Sequence, residues 1–171
     1  MPLHYYLTIL FIMIGFYLLF SLKPRRKIKS IHLKDHHITV IIPARNEALR
    51  IHPLLDSLKP YKNDVEIIIV DDHSEDDTGS LASSYGYHVV VPKERPKGWK
   101  GKPWALDQGV SKSKGDIIVF LDADTVLLKH GLEKIVSVFL ETKTPFSIQP
   151  YHQMKTSVER LSVFFNVLVV M

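Results

Sequence analysis

The sequence predicts an α/β protein, a mostly parallel β-sheet with helices on both faces, preceded by one N-terminal transmembrane helix. Short, almost wholly apolar segments alternate with longer segments in which apolar residues recur at helical spacing. Apolar strands that alternate with helices are typical of a parallel sheet covered on both sides. A long uncharged stretch precedes the alternation and is the third observation.

The N-terminal stretch from Leu3 to Leu22 contains no charged residue. At about 1.5 Å per residue a helix of this length spans roughly 30 Å, the thickness of the hydrocarbon core of a bilayer. The basic residues that follow it are Lys23, Arg25, Arg26, Lys27 and Lys29. We therefore predict a transmembrane anchor over residues 1–22 and a basic juxtamembrane linker over 23–36 that contacts membrane lipids. The positive-inside rule then places the rest of the chain on the cytoplasmic side of the cell membrane.

Composition excludes several classes of site. The 171 residues include no cysteine, which excludes disulfides and thiolate metal sites and fits a reducing compartment. The formal net charge is +4, but the basic residues do not follow one helical face, so we expect no nucleic-acid partner. The nine histidines show no metal-ligand spacing.

The alternation begins after the linker, and five strands are predicted, at residues 38–42, 67–70, 88–91, 117–121 and 146–148. Ser74 and Asp77 form a capping-box pattern before the helix that follows the second strand. Pro103 stands at the start of the helix that precedes the fourth strand. We assign residues 37–156 to one domain and 157–171 to an apolar helix. Because the chain stops inside that apolar run, we expect the front part of a longer protein.

Polar residues follow three of the strands at the point where each strand ends. They are Arg45, Asn46 and Glu47 after the first strand, Asp71 and Asp72 after the second, and Asp122 and Asp124 after the fourth. In open parallel sheets, ligands bind outside the carboxyl ends of the strands. The sequence therefore predicts a binding site at this edge.

Asp122 and Asp124 are two residues apart, so in an extended chain both carboxylates point to the same side. Two such charges repel unless a cation or hydrogen-bond donors lie between them. Carboxylates at a strand end hold Mg²⁺ or Mn²⁺, or accept hydrogen bonds from ribose and base groups. Lys100 and Lys102 can add positive charge for a diphosphate. The chain has neither GxxxxGK[ST] nor GxGxxG, so P-loop and dinucleotide sites lack support.

Each of these features also has a purely structural interpretation. Asp71 and Asp72 can cap the following helix, since aspartates cap turns and helices frequently. Lys100 and Lys102 can be solvated loop residues. Trp99 and Trp104 can be core anchors or a lid over a ligand, and we favour the core for Trp104.

Four motifs, "TVIIPARNE", "IIIVDDHSEDDT", "GWKGKPWAL" and "IIVFLDADT", occur in this order. Together they resemble the nucleotide-binding half of the inverting family-two glycosyltransferases, which have the Rossmann-like GT-A fold. The resemblance covers residues 38–150. Within that family the chain looks most like the membrane-bound carotenoid glycosyltransferases that glucosylate diaponeurosporenoate. It implies a nucleotide-sugar donor, a UDP-sugar, and a lipid or carotenoid-like acceptor.

The resemblance also implies roles for residues at the first two strand ends. Pro43, Ala44 and Glu47 match the segment that wraps the nucleotide. Asp72 matches the aspartate that reads the uracil base. His73 stands where glycine or asparagine is commoner, which a turn tolerates.

Further along the chain, Lys102 matches the lysine that faces the diphosphate. Asp122 matches the acid near the ribose, and Asp124 matches the ligand of Mg²⁺ or Mn²⁺. The two aspartates are then expected to share the metal. The catalytic base of the family is a later acidic residue, so we expect it outside this chain and name none here.

Three alternative functions stay open at this point. A truncated chain can bind donor without transferring sugar. "FLDADTV" also fits the DxDx[TV] motif of haloacid-dehalogenase-like phosphatases, although in those proteins the motif opens the domain. A nucleotidyltransferase of related fold needs a glycine-rich loop after the first strand, and "PARNEALR" contains no glycine.

Overall fold

Four parallel strands form the sheet at the centre of the molecule. The computed structural model describes residues 3–21 and 31–148. The strands, in chain order, are β1 at Ile38–Ala44, β2 at Glu66–Asp71, β3 at His88–Val90 and β4 at Ile117–Phe120. Their order across the sheet is β3–β2–β1–β4, and all neighbouring pairs are parallel. The predicted α/β class with a parallel sheet is confirmed.

Five α-helices connect or flank the strands. They are α1 at Leu3–Ser21, α2 at His52–Leu58, α3 at Thr78–Ser84, α4 at Gly101–Lys112 and α5 at Gly131–Thr142. Short 3₁₀ helices lie at Leu33–Asp35 and Lys59–Tyr61. Pro53 and Pro103 lie in the first turns of α2 and α4. Backbone N–H groups in the first turn have no acceptor within the helix, so the N–H that proline lacks costs no helical hydrogen bond.

Alternate side chains of the central strand pack on opposite faces of the sheet. Val40 and Ile42 belong to the larger core, which contains buried residues of α2, α3 and α5. Ile41 belongs to the smaller core, where it packs with Ile68, Val70 and Ala105 of α4. Helices therefore cover both faces, as the apolar strands predicted.

Gly109 lets α4 approach the sheet closely. A Cβ at this position would stand 2.5 Å from Ile41 Cγ2 and 3.0 Å from Val70 Cγ2. Both distances are shorter than van der Waals contact between carbon atoms. The C-terminal half of α4 therefore lies directly against β1 and β2.

Two predictions about local structure are wrong. Residues 146–148 form no strand. Helix α5 ends at Thr142, the next residue, Lys143, has left-handed backbone angles, and Phe146 and Ile148 are exposed without strand pairing in the described chain. Ser74 does not cap α3, which begins four residues later, at Thr78, directly after Asp77. The Ser74 hydroxyl instead accepts a hydrogen bond from the backbone N–H of Asn46.

The N-terminal helix α1 exposes most of its apolar side chains between residues 4 and 17. Across the described residues, the structure contains no helix with both the length and the apolar character needed to cross a membrane. The predicted anchor at 1–22 is therefore not supported. Most of the predicted linker and all of the C-terminal segment 157–171 lie outside the described residues.

Candidate functional site

The carboxyl ends of β1, β2 and β4 bring together the loops that carry the predicted site residues. The Asp72 N–H donates to the carbonyl oxygen of Ala44 at 2.9 Å, and the Leu121 N–H donates to that of Ile41 at 3.1 Å. Pro43 pairs with Val70 in the sheet register. These backbone contacts fix the points at which the three loops leave the sheet.

Asn46 turns the chain sharply after β1. It has a φ of 55°, in the left-handed region that asparagine tolerates better than most residues. Its N–H donates to Ser74 Oγ at 3.0 Å, and its side-chain oxygen accepts from the Glu75 N–H at 2.8 Å. His73, in the facing loop, also has a positive φ of 56°. Asn46 therefore links the loop after β1 to the loop after β2.

Glu47 presents an unpaired carboxylate oxygen in this linked region. Its backbone carbonyl accepts from the N–H groups of Arg50 and Ile51 at 2.8 and 2.9 Å. Its Oε2 atom is buried and has no hydrogen-bond partner among the described residues. A buried acceptor without a donor costs free energy, on the order of 1–3 kcal/mol. It is an acceptor that a ligand hydroxyl or N–H could satisfy.

The two aspartates after β2 have different surroundings. Asp71 Oδ1 accepts from the Ser74 N–H at 3.0 Å, and its other oxygen packs against Gly79 at the start of α3. Asp72 Oδ2 lies 2.8 Å from the position that a Cβ on Gly101 would occupy, beside the start of α4. Asp71 therefore shapes the loop, while the half-exposed Asp72 faces the α4 terminus.

Lys102 and Asp122 join the start of α4 to the loop after β4. Lys102 Nζ lies 2.6 Å from Asp122 Oδ1, and their side chains are 58% and 54% exposed. An ion pair this exposed contributes at most about 1 kcal/mol to stability. Both groups are accessible to a ligand that offers phosphate or hydroxyl groups.

Asp122 and Asp124 lie in a turn rather than an extended strand. Both the N–H and the hydroxyl of Thr125 donate to the Asp122 carbonyl oxygen, at 3.1 and 2.7 Å. The argument that both carboxylates point to one side of an extended strand therefore does not apply, because β4 ends at Phe120, before both aspartates. Asp124 is exposed, and the buried Ala123 lies between the pair.

The tryptophans fix the loop that leads into α4. Trp104 is half-buried and donates from Nε1 to the Lys93 carbonyl oxygen at 2.9 Å. The Trp99 ring meets the Trp104 ring edge to face, with centroids 5.3 Å apart. Trp99 remains 44% exposed. Trp104 acts as an anchor for the loop, and Trp99 is the outer member of the pair.

The contacts bring most of the predicted site residues to one edge of the sheet. Ala44 contacts Asp72 through the backbone, Asp72 neighbours Gly101, and the next residue, Lys102, binds Asp122. The contacts described above do not include Asp124. Within residues 3–21 and 31–148, no group of three histidine or acidic side chains is arranged to hold a metal ion.

The sequence pattern did not predict the hydrogen bonds by which four residues hold the loops together, although it placed Asn46 at this edge of the sheet. These residues are Asn46, Ser74, Asp76 and Thr78, which link the loops after β1 and β2. Their partners are 28 to 31 positions away in the chain. The "SEDDT" segment is the only sequence signal for these contacts, and its pattern predicts a helix cap instead.

A parallel sheet with acidic and basic side chains gathered at its carboxyl edge defines a ligand-binding α/β domain. The chain matches the family model described as glycosyl transferase family 2 over residues 39–164. It belongs to this family, and the predicted resemblance is confirmed. The family match therefore favours the glycosyltransferase interpretation over the phosphatase and nucleotidyltransferase alternatives.

Relatives of known name and structure agree with this assignment. The chain is 37% identical over 157 residues to a 4,4'-diaponeurosporenoate glycosyltransferase of Staphylococcus aureus. That match covers 90% of the chain and 42% of the relative, so the chain spans about two fifths of the relative's length.

Two solved structures share the fold. A mycobacterial protein is 29% identical with a TM-score of 0.56, covering 69% of this chain and 43% of that one. S. aureus TarS is 27% identical with a TM-score of 0.51, covering 61% of this chain and 20% of its own. The structural match and the family match together confirm a GT-A-like fold.

Proposed function

We propose that this chain forms the donor-binding part of a glycosyltransferase that takes its sugar from a nucleotide-sugar, a UDP-sugar, and transfers it with inversion. The observation that carries the proposal is the convergence of Asp72, Lys102 and Asp122 where β2, α4 and β4 meet. These groups come from different elements, yet together they offer acceptors for base and ribose and a cation for a diphosphate.

The proposed roles follow from the chemistry of each side chain. Asp72 accepts a hydrogen bond from the uracil N–H, and Asp122 accepts from a ribose hydroxyl. Lys102 exchanges its exposed contact with Asp122 for contact with the diphosphate. Pro43 and Ala44 form the wall beside the nucleotide, where Ala44 is buried at the end of β1. No residue of this chain is assigned as general base.

A divalent cation fits the carboxylates after β4. Mg²⁺ and Mn²⁺ prefer oxygen ligands, and a nucleotide-bound metal needs only one or two protein carboxylates, with water and diphosphate completing its shell. Asp124, which is exposed, and Asp122 are the residues that would hold it. When bound, the metal would neutralise charge on the departing diphosphate.

The acceptor and the membrane are part of the same proposal. The S. aureus relative is named for a carotenoid substrate, and we propose a lipid or carotenoid-like acceptor for this protein too. The α1 segment contains no charged residue, and its described apolar side chains are exposed. Although no helix among the described residues meets the length and hydropathy of a membrane span, we propose that the uncharged stretch 1–22 anchors the protein in the cell membrane as a single pass, with the family-two domain on the cytoplasmic side.

A second candidate is a donor-binding chain without transferase activity. It keeps the donor site of Asp72, Lys102 and Asp122, and no residue of the chain is assigned as general base. The two candidates share the donor site and differ in whether sugar leaves it. They are therefore separated by a transfer assay and not by a binding assay.

Titration calorimetry with UDP-glucose, using the 171-residue chain in detergent, tests the donor site. We expect binding in Mn²⁺ or Mg²⁺ that weakens at least tenfold when EDTA is added, because the metal screens the diphosphate. Equal affinity with and without metal would refute the metal assignment. The chain is then incubated with UDP-glucose labelled in the sugar and with membrane lipids. Transfer of the label to lipid indicates a transferase, whereas binding of the donor without transfer indicates the second candidate.

A further inference from the structure

A relay of hydrogen bonds runs from Asp76 to Glu47. Asp76 Oδ1 accepts from both the N–H and the hydroxyl of Thr78, with the N–H at 3.0 Å. Thr78 Oγ1 in turn accepts from the Glu47 N–H at 2.8 Å. Asp76 Oδ2 accepts from the Ala48 N–H at 3.1 Å. Two side chains of the loop after β2 thus fix two consecutive backbone groups of the loop after β1.

The relay ends at the residue whose carboxylate is unpaired. Glu47 keeps Oε2 buried without a donor, an arrangement that a mobile loop would avoid by turning the side chain to water. Thr78 is fully buried, so its hydroxyl has a fixed set of partners. The backbone that carries the Glu47 side chain is therefore held at two consecutive N–H groups, those of Glu47 and Ala48.

We propose that Asp76 and Thr78 are positioning residues for donor binding: they hold the Glu47 carboxylate ready to accept a hydroxyl or N–H of the nucleotide. The inference rests on the proposed function, since it needs a nucleotide at this edge. An acceptor fixed before the ligand arrives loses little freedom when it binds. Neither residue contacts the ligand in this account, and each acts through Glu47.

A double-substitution cycle tests the relay. We expect Thr78→Val, which keeps the shape but removes the hydroxyl, to weaken UDP binding in Mn²⁺ about tenfold. In a Glu47→Ala background, the same substitution should change UDP affinity less than about twofold, because the carboxylate it positions is gone. A purely structural role would give the same loss in both backgrounds, and that result would overturn the inference.

Two further variants keep the test valid if Thr78→Val lowers stability. Thr78→Ser retains the hydroxyl and should keep UDP affinity within about twofold of the unsubstituted chain. Asp76→Asn keeps one acceptor oxygen and should weaken binding less than Thr78→Val, again only when Glu47 is present. Asp77→Asn is the matched control, because it makes the same change one residue along, where the side chain does not cap α3.

The outcomes separate this inference from the proposed function. If the unsubstituted chain binds no UDP, then the proposed function fails and the inference fails with it. If it binds UDP but Thr78→Ser weakens binding as much as Thr78→Val, or the cycle is additive, then the inference alone fails. Loss of UDP affinity confined to Thr78→Val and Asp76→Asn, and dependent on Glu47, supports it.

Discussion

The polar groups at the two edges of the sheet differ in whether they find hydrogen-bond partners within the fold. At the amino edge, the Thr39 hydroxyl donates to Glu66 Oε2 at 2.6 Å and accepts from the Gly115 N–H at 2.9 Å. The Lys114 N–H donates to the same Glu66 oxygen at 2.8 Å. These hydrogen bonds join β1, β2 and the turn before β4 to one another.

At the carboxyl edge, comparable groups are left available. Glu47 Oε2 has no donor within the described chain, and the Lys102–Asp122 pair is more than half exposed. The two edges lie at opposite ends of the same strands and are only about 20 Å apart. The polar groups of the amino edge therefore stabilise the fold, whereas those of the carboxyl edge are available to a ligand.

The largest expected effect is on stability at the amino edge. A Cβ on Gly115 would stand 2.6 Å from the backbone nitrogen of Thr39, so Gly115→Ala forces the strands apart. We expect a loss of about 1–3 kcal/mol in the free energy of unfolding, measured by denaturant titration. UDP affinity should stay within about twofold, since the site is at the other edge.

Gly131→Ala is the control for this change. A Cβ on Gly131 would meet Leu127 Cδ2 at 3.4 Å, which is ordinary contact. Its effect on the free energy of unfolding should be within about 0.5 kcal/mol. If Gly115→Ala reduced the free energy of UDP binding by more than it reduced the free energy of unfolding, then the two edges would not have separate roles.

The next effect in size is on ligand binding at the carboxyl edge. Lys102→Ala should weaken UDP binding about tenfold, because a charge-assisted hydrogen bond to phosphate is lost. Its effect on unfolding should stay below about 1 kcal/mol, since the ion pair with Asp122 is exposed. Lys112→Ala, at the far end of α4, is the control and should change neither quantity. Unchanged UDP affinity in Lys102→Ala would remove the lysine from the site.

A smaller effect is expected for the metal. Asp124→Asn should reduce the gain in UDP affinity that Mn²⁺ provides by about fivefold, because one carboxylate ligand becomes a neutral amide. The control is Asp116→Asn, which makes the same change just before β4, at the amino edge. Equal loss in both variants would indicate a general effect of charge rather than a metal ligand.

The smallest effect is a dependence of stability on pH. The hydrogen bond from the Thr78 hydroxyl, with help from backbone N–H groups, holds the pKa of Asp76 below its ordinary value of 3.8. A lowered pKa in the folded state stabilises the fold above the unfolded value, and this contribution is lost as the pH falls through the folded pKa.

The check compares the unfolding free energy of the unsubstituted chain with that of Asp76→Asn. Their difference should be constant above about pH 5 and shrink as the pH falls below the ordinary pKa of an aspartate. A difference that changes near neutral pH would contradict this assignment, because Asp76 is then not the titrating group.

Apolar patterning alone predicted most of the fold. The four strands of the sheet and the helices on both faces follow from buried runs such as 67–70 and from the apolar spacing in α5. The expected strand at 146–148 failed because apolar residues alone do not supply a neighbouring strand. Short runs of this kind fit several structures equally well.

The arrangement of the site was only partly predictable. The strand-end rule placed Asp72 and Asp122 at one edge, but Thr125 closes a turn that the apolar pattern could not reveal. The relay through Thr78 links residues 31 positions apart, and no local pattern encodes such contacts. The arrangement of the site loops therefore depends on tertiary hydrogen bonds, which the periodicity of apolar residues does not predict.

Amide chemical-shift mapping by NMR, with UDP and Mg²⁺ added to the isotopically labelled chain in detergent, tests the central claim most directly. We predict that the perturbed amides lie at the carboxyl edge, in the non-proline residues of 43–48, 71–78, 100–104 and 121–125. Amides of the amino-edge cluster at Thr39, Glu66, Lys114 and Gly115 should keep their shifts. Perturbation centred on that cluster, or no perturbation of the carboxyl-edge loops, would contradict the account.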